Sequence, residues 1–141
     1  MMNPLIHELF QKSRFLSKEL NMFLKIHKLF ASQWSVIYCV DLHGEMTLTQ
    51  IWKYLNVEAP TITRTVNRLE ELCWLRTKEG KDRREKVVEL TEFGLEQLEA
   101  VKKSVIEFEQ LYLNNLSDEE QVALIRLLRK LDERKENLFE S

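Results

Sequence analysis

Between Thr47 and Thr91 a short helix, a break, a longer amphipathic helix and two strand-like runs follow one another with almost no residue to spare. Thr47 and Gln50 have the spacing of a capping box, and Met46 and Ile51 flank it as a hydrophobic staple. After the break at Asn56-Val57-Glu58, the stretch APTITRTVNRLEELCW is expected to be helical. Pro60 falls in its first turn, where the missing N–H costs nothing. At helical spacing Ala59, Ile62, Val66, Leu69 and Cys73 share one side. Pro60, Arg64, Asn67 and Glu71 lie roughly opposite, flanked by Thr61, Thr63 and Arg68. That is helix-turn-helix spacing. LRTK and KVVELT then read as two strands joined by a charged tip at 79–85.

The flanks of this core are helical. Only three glycines and two prolines occur in 141 residues, which favours long helices over a loop-rich or all-β fold. Residues 5 to 28 carry Leu5, Ile6, Leu9, Leu16, Leu20, Phe23 and Leu24 at helical intervals, with Pro4 outside the start. In FASQWSVIYCVDLHG, Ser32 is expected to cap a second helix that ends at Gly44. Thr91 is expected to cap a long helix through Leu95, Leu98, Val101, Val105, Phe108 and Tyr112. Ser117 with Glu120 opens a last one, expected over 117–138, with Asp118 and Glu119 where the helix dipole favours them. The fold class expected is mainly α with a small β-wing: a winged helix-turn-helix over 30–90 and long helices at 1–28 and 91–141, all in one domain of 1–141.

Five basic residues, Lys78, Lys81, Arg83, Arg84 and Lys86, gather within nine positions at the hairpin tip. A surface turn has no need of them; a finger reaching a polyanion does. Net charge is −2, but it is unevenly spread: residues 60–90 carry eight Lys/Arg against six Asp/Glu, and residues 91–141 carry seven against twelve. A DNA-binding element needs a basic face, not a basic chain. In a winged helix-turn-helix the longer helix supplies side chains to the major groove. Arg64 and Arg68 suit guanine edges or phosphates, Asn67 suits adenine, and the threonines suit phosphates or a thymine methyl. An arginine on a slim hairpin suits the narrow minor groove of A·T-rich stretches. Asp82, two positions before Arg84, is placed to hold that guanidinium in a fixed pose through a charge-assisted pair. Lys78 and Lys81 read as solvated charge.

The span from SQWSVIYCV to VVELTEFG resembles the MarR family of bacterial regulators, and the flanking helices extend that resemblance over essentially the whole chain. Its most specific part is D-R-R…V-x-L-T-x-x-G, present as Asp82, Arg83, Arg84, Val88, Leu90, Thr91 and Gly94. T-x-T-R-x-V-x-R-L-E in the second helix is nearly as telling. The resemblance implies a transcriptional regulator, a repressor by preference, acting as a homodimer with residues 1–28 and 91–141 interleaved between protomers. It implies two wings gripping a pseudo-palindromic operator, and Arg84 in the minor groove. DNA-binding residues on this reading are Pro60, Thr61, Thr63, Arg64, Asn67, Arg68, Lys81, Arg83 and Arg84. The chain departs from the family's pattern in Glu58, where Ser is frequent before the recognition helix, and in Cys73, where Gly usually ends it. Asn67 stands where Asp is frequent.

In similar proteins a crevice beside the DNA-binding lobe takes small aromatic or phenolic effectors; Tyr38, His43 and Trp52 are candidates for lining it here, while Trp34 is expected in the core. Cys39 lies among Val36, Ile37 and Val40 and reads as a small buried hydrophobe. Cys73 leaves open a redox-modulated regulator. The histidines are scattered, so no metal site and no cofactor is expected. No window approaches the ~18 apolar residues that span a bilayer, and no signal peptide is evident, so a cytoplasmic address is expected. No Gly-rich phosphate loop or nucleophile elbow suggests an enzyme. The rival from another class is a winged helix that binds protein, which would not require basic and polar residues to converge on one helix face and one hairpin tip.

Overall fold

Asn21 starts the second helix of this protein, although it belongs to the first. A computed structural model describes residues 1–133, in two compact units, Met1–Ile106 and the segment from Glu107 onward. Helix α1, Pro4–Leu24, begins where the Asn3 Oδ1 accepts the Leu5 N–H at 2.9 Å. It passes through a 3₁₀ turn, Lys25–His27, that ends at Lys28 in the left-handed region with φ 60°. Helix α2, Ala31–His43, takes its first N–H bond from the Ala31 amide to Asn21 Oδ1 at 2.6 Å, and the Phe30 amide donates to Gln33 Oε1 at 2.9 Å. Ser32, expected to cap this helix, is exposed and lies inside it. The orphan donors at a helix start accept any nearby oxygen, and a partner ten residues upstream escapes a local capping rule.

Helix α2 is the centre of the core: Trp34, Val36, Ile37, Cys39 and Val40 are all buried. It stops at Gly44, whose φ of 85° suits glycine and strains other residues. Strand β1, Glu45–Thr47, follows, then α3, Leu48–Leu55, and α4, Ala59–Glu71. The capping box at Thr47 and Gln50 forms with both bonds, at 3.1 and 2.9 Å. Strands β2, Leu75–Glu79, and β3, Lys86–Leu90, make the hairpin, and the sheet order is β1-β3-β2, all antiparallel. β1 is a finding beyond the sequence reading. Three residues are too few for an alternation signal, yet Met46 pairs with Val88 and both are buried. Ile62, Val66 and Leu69 bury the inner face of α4 against this core, each burial contributing about 1.5–3 kcal/mol.

Cys73 does not continue the side shared by Ala59, Ile62, Val66 and Leu69. α4 ends at Glu71, and Cys73 is exposed with φ 67°. The reversal is what lets Trp74 turn into the core, with the Trp74 N–H donating to the Leu69 carbonyl at 2.9 Å. A residue with a Cβ in that conformation costs roughly 1–2 kcal/mol, which is why glycine is the usual choice there.

Helix α5, Glu92–Leu113, is locked to this corner. The Thr91 N–H donates to the Trp74 carbonyl at 3.0 Å, and the Thr91 hydroxyl accepts the Gly94 N–H at 2.9 Å while donating to the Cys73 carbonyl. A Cβ on Gly94 would stand 2.6 Å from the Trp74 carbonyl oxygen. So the L-T-x-x-G run joins the end of α4 to the start of α5 with no room for a larger residue.

In the second unit, helix α6, Asp118–Lys130, opens on the Ser117–Glu120 capping box, with bonds of 3.1 and 2.9 Å. Residues 134–138 of the last helix expected from sequence lie outside the described residues. No described residue of α6 is buried; Val122, Leu124, Ile125, Leu127, Leu128 and Leu131 are all exposed. On α1, likewise, Leu5, Ile6, Phe10, Phe15 and Leu16 are exposed and only Leu24 is buried. Helices with so much uncovered apolar surface are built to meet another surface.

Candidate nucleic-acid interface

The outer face of α4 is polar and open. Pro60, Thr63, Arg64, Asn67 and Arg68 are exposed and Thr61 is half-buried. Arg64 Nη2 donates to Thr61 Oγ1 at 3.3 Å, and Arg68 Nη1 donates to Glu71 Oε2 at 2.8 Å. Both guanidiniums therefore lie along the helix, held by weak exposed contacts that a phosphate or base edge would replace at small cost. Thr63 and Thr65 return their hydroxyl protons to the carbonyls of Ala59 and Thr61, at 3.1 and 2.9 Å, which keeps their acceptor lone pairs free. Glu58 stands at the N-cap and its carboxylate caps nothing, as its departure from Ser implies.

The hairpin tip presents Lys81, Asp82, Arg83, Arg84, Glu85 and Lys86, all exposed. Its fold is a tight turn closed by the Gly80 N–H to the Glu85 carbonyl at 3.0 Å and the Glu85 N–H to the Asp82 carbonyl at 2.8 Å. Asp82 supports it differently from the sequence expectation. Its Oδ1 accepts the backbone N–H of Arg84 at 3.1 Å, not the guanidinium. The short aspartate side chain reaches the amide two residues on, as this residue commonly does in turns. The Arg84 backbone is fixed and its side chain is left to extend.

Lys78, read from sequence as solvated charge, is engaged. Its Nζ stands 2.9 Å from Glu45 Oε2 and 3.3 Å from Glu89 Oε2, and Arg76 Nε stands 2.7 Å from Glu89 Oε1. The hydrogen bond to Glu45, then that to Glu89, raises the Lys78 ammonium above the usual lysine value. The bonds from Arg76 and Lys78 hold the Glu89 carboxyl below its usual range. This row, and the Thr91–Trp74 joint, did not follow from the sequence; the basic residues at alternate positions 76 and 78, with acidic Glu89 on the next strand, were the available signal.

Tyr38 is exposed beside Trp34, with ring centroids 6.0 Å apart. His43 donates from Nδ1 to the Cys39 carbonyl at 2.8 Å and meets Tyr54 edge-on at 4.9 Å. Trp52 is half-buried against the core, with the Lys53 ammonium 5.7 Å from its ring. Trp34 is in the core, as expected. Burial pushes the Cys39 thiol up to about 11, which leaves it unreactive. Cys73 is the exposed thiol, its Sγ 3.9 Å from the Glu71 carbonyl. Among the described residues no group of three or more His, Cys, Asp or Glu side chains is placed to hold a metal, and no helix is long and apolar enough to cross a membrane.

Known proteins share this arrangement. Residues 29–86 match the MarR family. The chain is 43% identical over 125 residues to the uncharacterized HTH-type transcriptional regulator YwoH of Bacillus subtilis, covering 89% of this chain and 91% of that protein. It is 36% identical over 97 residues to the HTH-type transcriptional repressor NicR of Pseudomonas putida, covering 67% of this chain and 61% of that one. Among solved structures, a mutant MarR from E. coli complexed with operator DNA superposes with a TM-score of 0.84 at 25% identity, over 92% of this chain and 94% of that one.

Proposed function

The chain belongs to the MarR family, and from that premise we propose that it is a sequence-specific DNA-binding transcriptional regulator, a repressor, that grips a pseudo-palindromic operator as a homodimer. The observation that carries the reading is the pairing of an open polar face on α4 with a basic hairpin tip directly downstream. A protein-binding winged helix would have no use for that combination.

Each protomer lays α4 in the major groove, with half-site centres about one helical turn, ~10 bp, apart. Arg64, Asn67 and Arg68 read base edges; Pro60, Thr61 and Thr63 set the register against the backbone; Lys81 and Arg83 meet phosphates and Arg84 enters the minor groove. Residues 1–28 and 91–141 supply the contacts between protomers, which covers the apolar side chains that α1 and α6 leave exposed. The protein works by binding and not by catalysis, in the cytoplasm. A small aromatic or phenolic effector acts by favouring dimers whose recognition helices no longer match the half-site spacing.

Arg64→Ala tests the major-groove assignment. Discrimination at one base pair of each half-site is expected to fall about tenfold, or ~1.4 kcal/mol, with preferences elsewhere retained. Binding-site selection on the variant reads this directly. A uniform loss across all sequences would make Arg64 a phosphate contact instead.

A further inference from the structure

We propose that Lys78 is a positioning residue for the wing: it ties the hairpin across the sheet to β1 and so holds Arg84 at a set angle to the recognition helix. This rests on the DNA-binding reading above, and it concerns a residue that reading leaves unused.

The pairing register places Glu45 and Glu89 as Cα partners on neighbouring strands, and Arg76 opposite Glu89 on the other side. Two carboxylates directly opposed across a strand pair repel. Lys78 stands on the same face as both, two residues from Arg76 and opposite Val87. To bond Glu45 it must cross the middle strand, a backbone span of roughly 10 Å between the outer strands. It does so, with Nζ between the two carboxylates at 2.9 and 3.3 Å. With Arg76 on the second Glu89 oxygen at 2.7 Å, four charges of alternating role run over all three strands. Val87, its partner in the register, is buried.

What this row joins matters more than its strength. β1 is a three-residue edge strand, and its last residue, Thr47, is the N-cap of α3. β2 and β3 are the wing itself. The Lys78–Glu45 bond is therefore a side-chain link between the hairpin and the first helix of the DNA-reading pair. Exposed ion pairs contribute little to global stability, so the consequence lies in where the wing points, with unfolding temperature nearly unchanged.

The competing role for Lys78 is a plain phosphate contact, and Glu45→Gln separates the two because one predicts a position-specific loss of preference and the other a uniform gain in affinity. If Lys78 positions the wing, Glu45→Gln and Lys78→Met both flatten the A·T preference at the outer operator positions. The inner preferences stay, and Lys78→Arg restores the outer one. If Lys78 contacts phosphate, Glu45→Gln frees a cation and tightens binding to every sequence. Lys78→Met then weakens binding uniformly and lowers the salt slope by about one.

The experiment is binding-site selection on the full-length wild type and these variants, with amide hydrogen exchange along Glu45–Thr47 and Val87–Glu89 in the DNA-free protein. Exchange there is expected to quicken by about fivefold in Glu45→Gln and Lys78→Met, the scale of one cross-strand pair. Unchanged exchange overturns the proposal whatever the DNA result. Faster exchange in a protein that binds no DNA leaves the tie in place and removes only the DNA-binding reading.

Discussion

Replacing Leu124 and Leu128 with glutamate is expected to turn the dimer into monomers and to remove operator binding. The two leucines are one helical turn apart on α6, and both are exposed in the single chain, as are Val122, Ile125, Leu127 and Leu131. Covering a leucine is worth about 1.5–3 kcal/mol, and burying an unpaired carboxylate in its place costs more than that. Two substitutions in each of two protomers exceed what an interface of ordinary size leaves in surplus. A monomer holds one half-site only, and losing the linked second site is expected to lower operator affinity by ~100-fold or more. Since no described α6 residue is buried in the single chain, helix content should be nearly unchanged. Sedimentation and operator titration check both parts. A variant that still sediments as a dimer at micromolar concentration would place the protomer contacts elsewhere.

Arg84→Ala is expected to weaken specific binding by about 1–3 kcal/mol and to relax the A·T preference at the edges of the site. Arg84 is exposed at a tip whose backbone is fixed by Asp82 and by the Gly80–Glu85 closure. A side chain extending from a preset turn pays less ordering entropy on entering a groove than one on a loose loop. Asp82→Ala removes that fixing without removing the guanidinium, so a smaller loss of affinity with the same base preference is expected. Titration of operator variants changed only at their outer positions reads both substitutions. Unchanged affinity and unchanged edge preference in Arg84→Ala would take the wing out of recognition.

What local chemistry signals was legible in the chain. The Thr47–Gln50 and Ser117–Glu120 capping boxes, the stop at Gly44, the apolar side of α4 and the two hairpin strands all depend on residues within a few positions of one another. What escaped was set at a distance. Asn21 caps a helix ten residues away. β1 exists because Val88 waits forty-two positions downstream of Met46. Helical arithmetic put Cys73 on the side of Ala59, Ile62, Val66 and Leu69, and it turns out because Trp74 needs the core. At the candidate interface, residue types pointed correctly to an exposed α4 face and an exposed tip. The partners of Asp82 and Lys78 did not follow from composition, since short and long side chains choose among neighbours only the fold supplies.

The most direct test of a dimeric operator-binding protein is selection of bound duplexes from a random DNA library at ~150 mM salt, where loose electrostatic binding is largely suppressed. The expected product is a pseudo-palindrome with half-site centres about one turn apart, ~10 bp, and A·T-rich outer positions. A single asymmetric site, or no enrichment from a folded dimer, would contradict it.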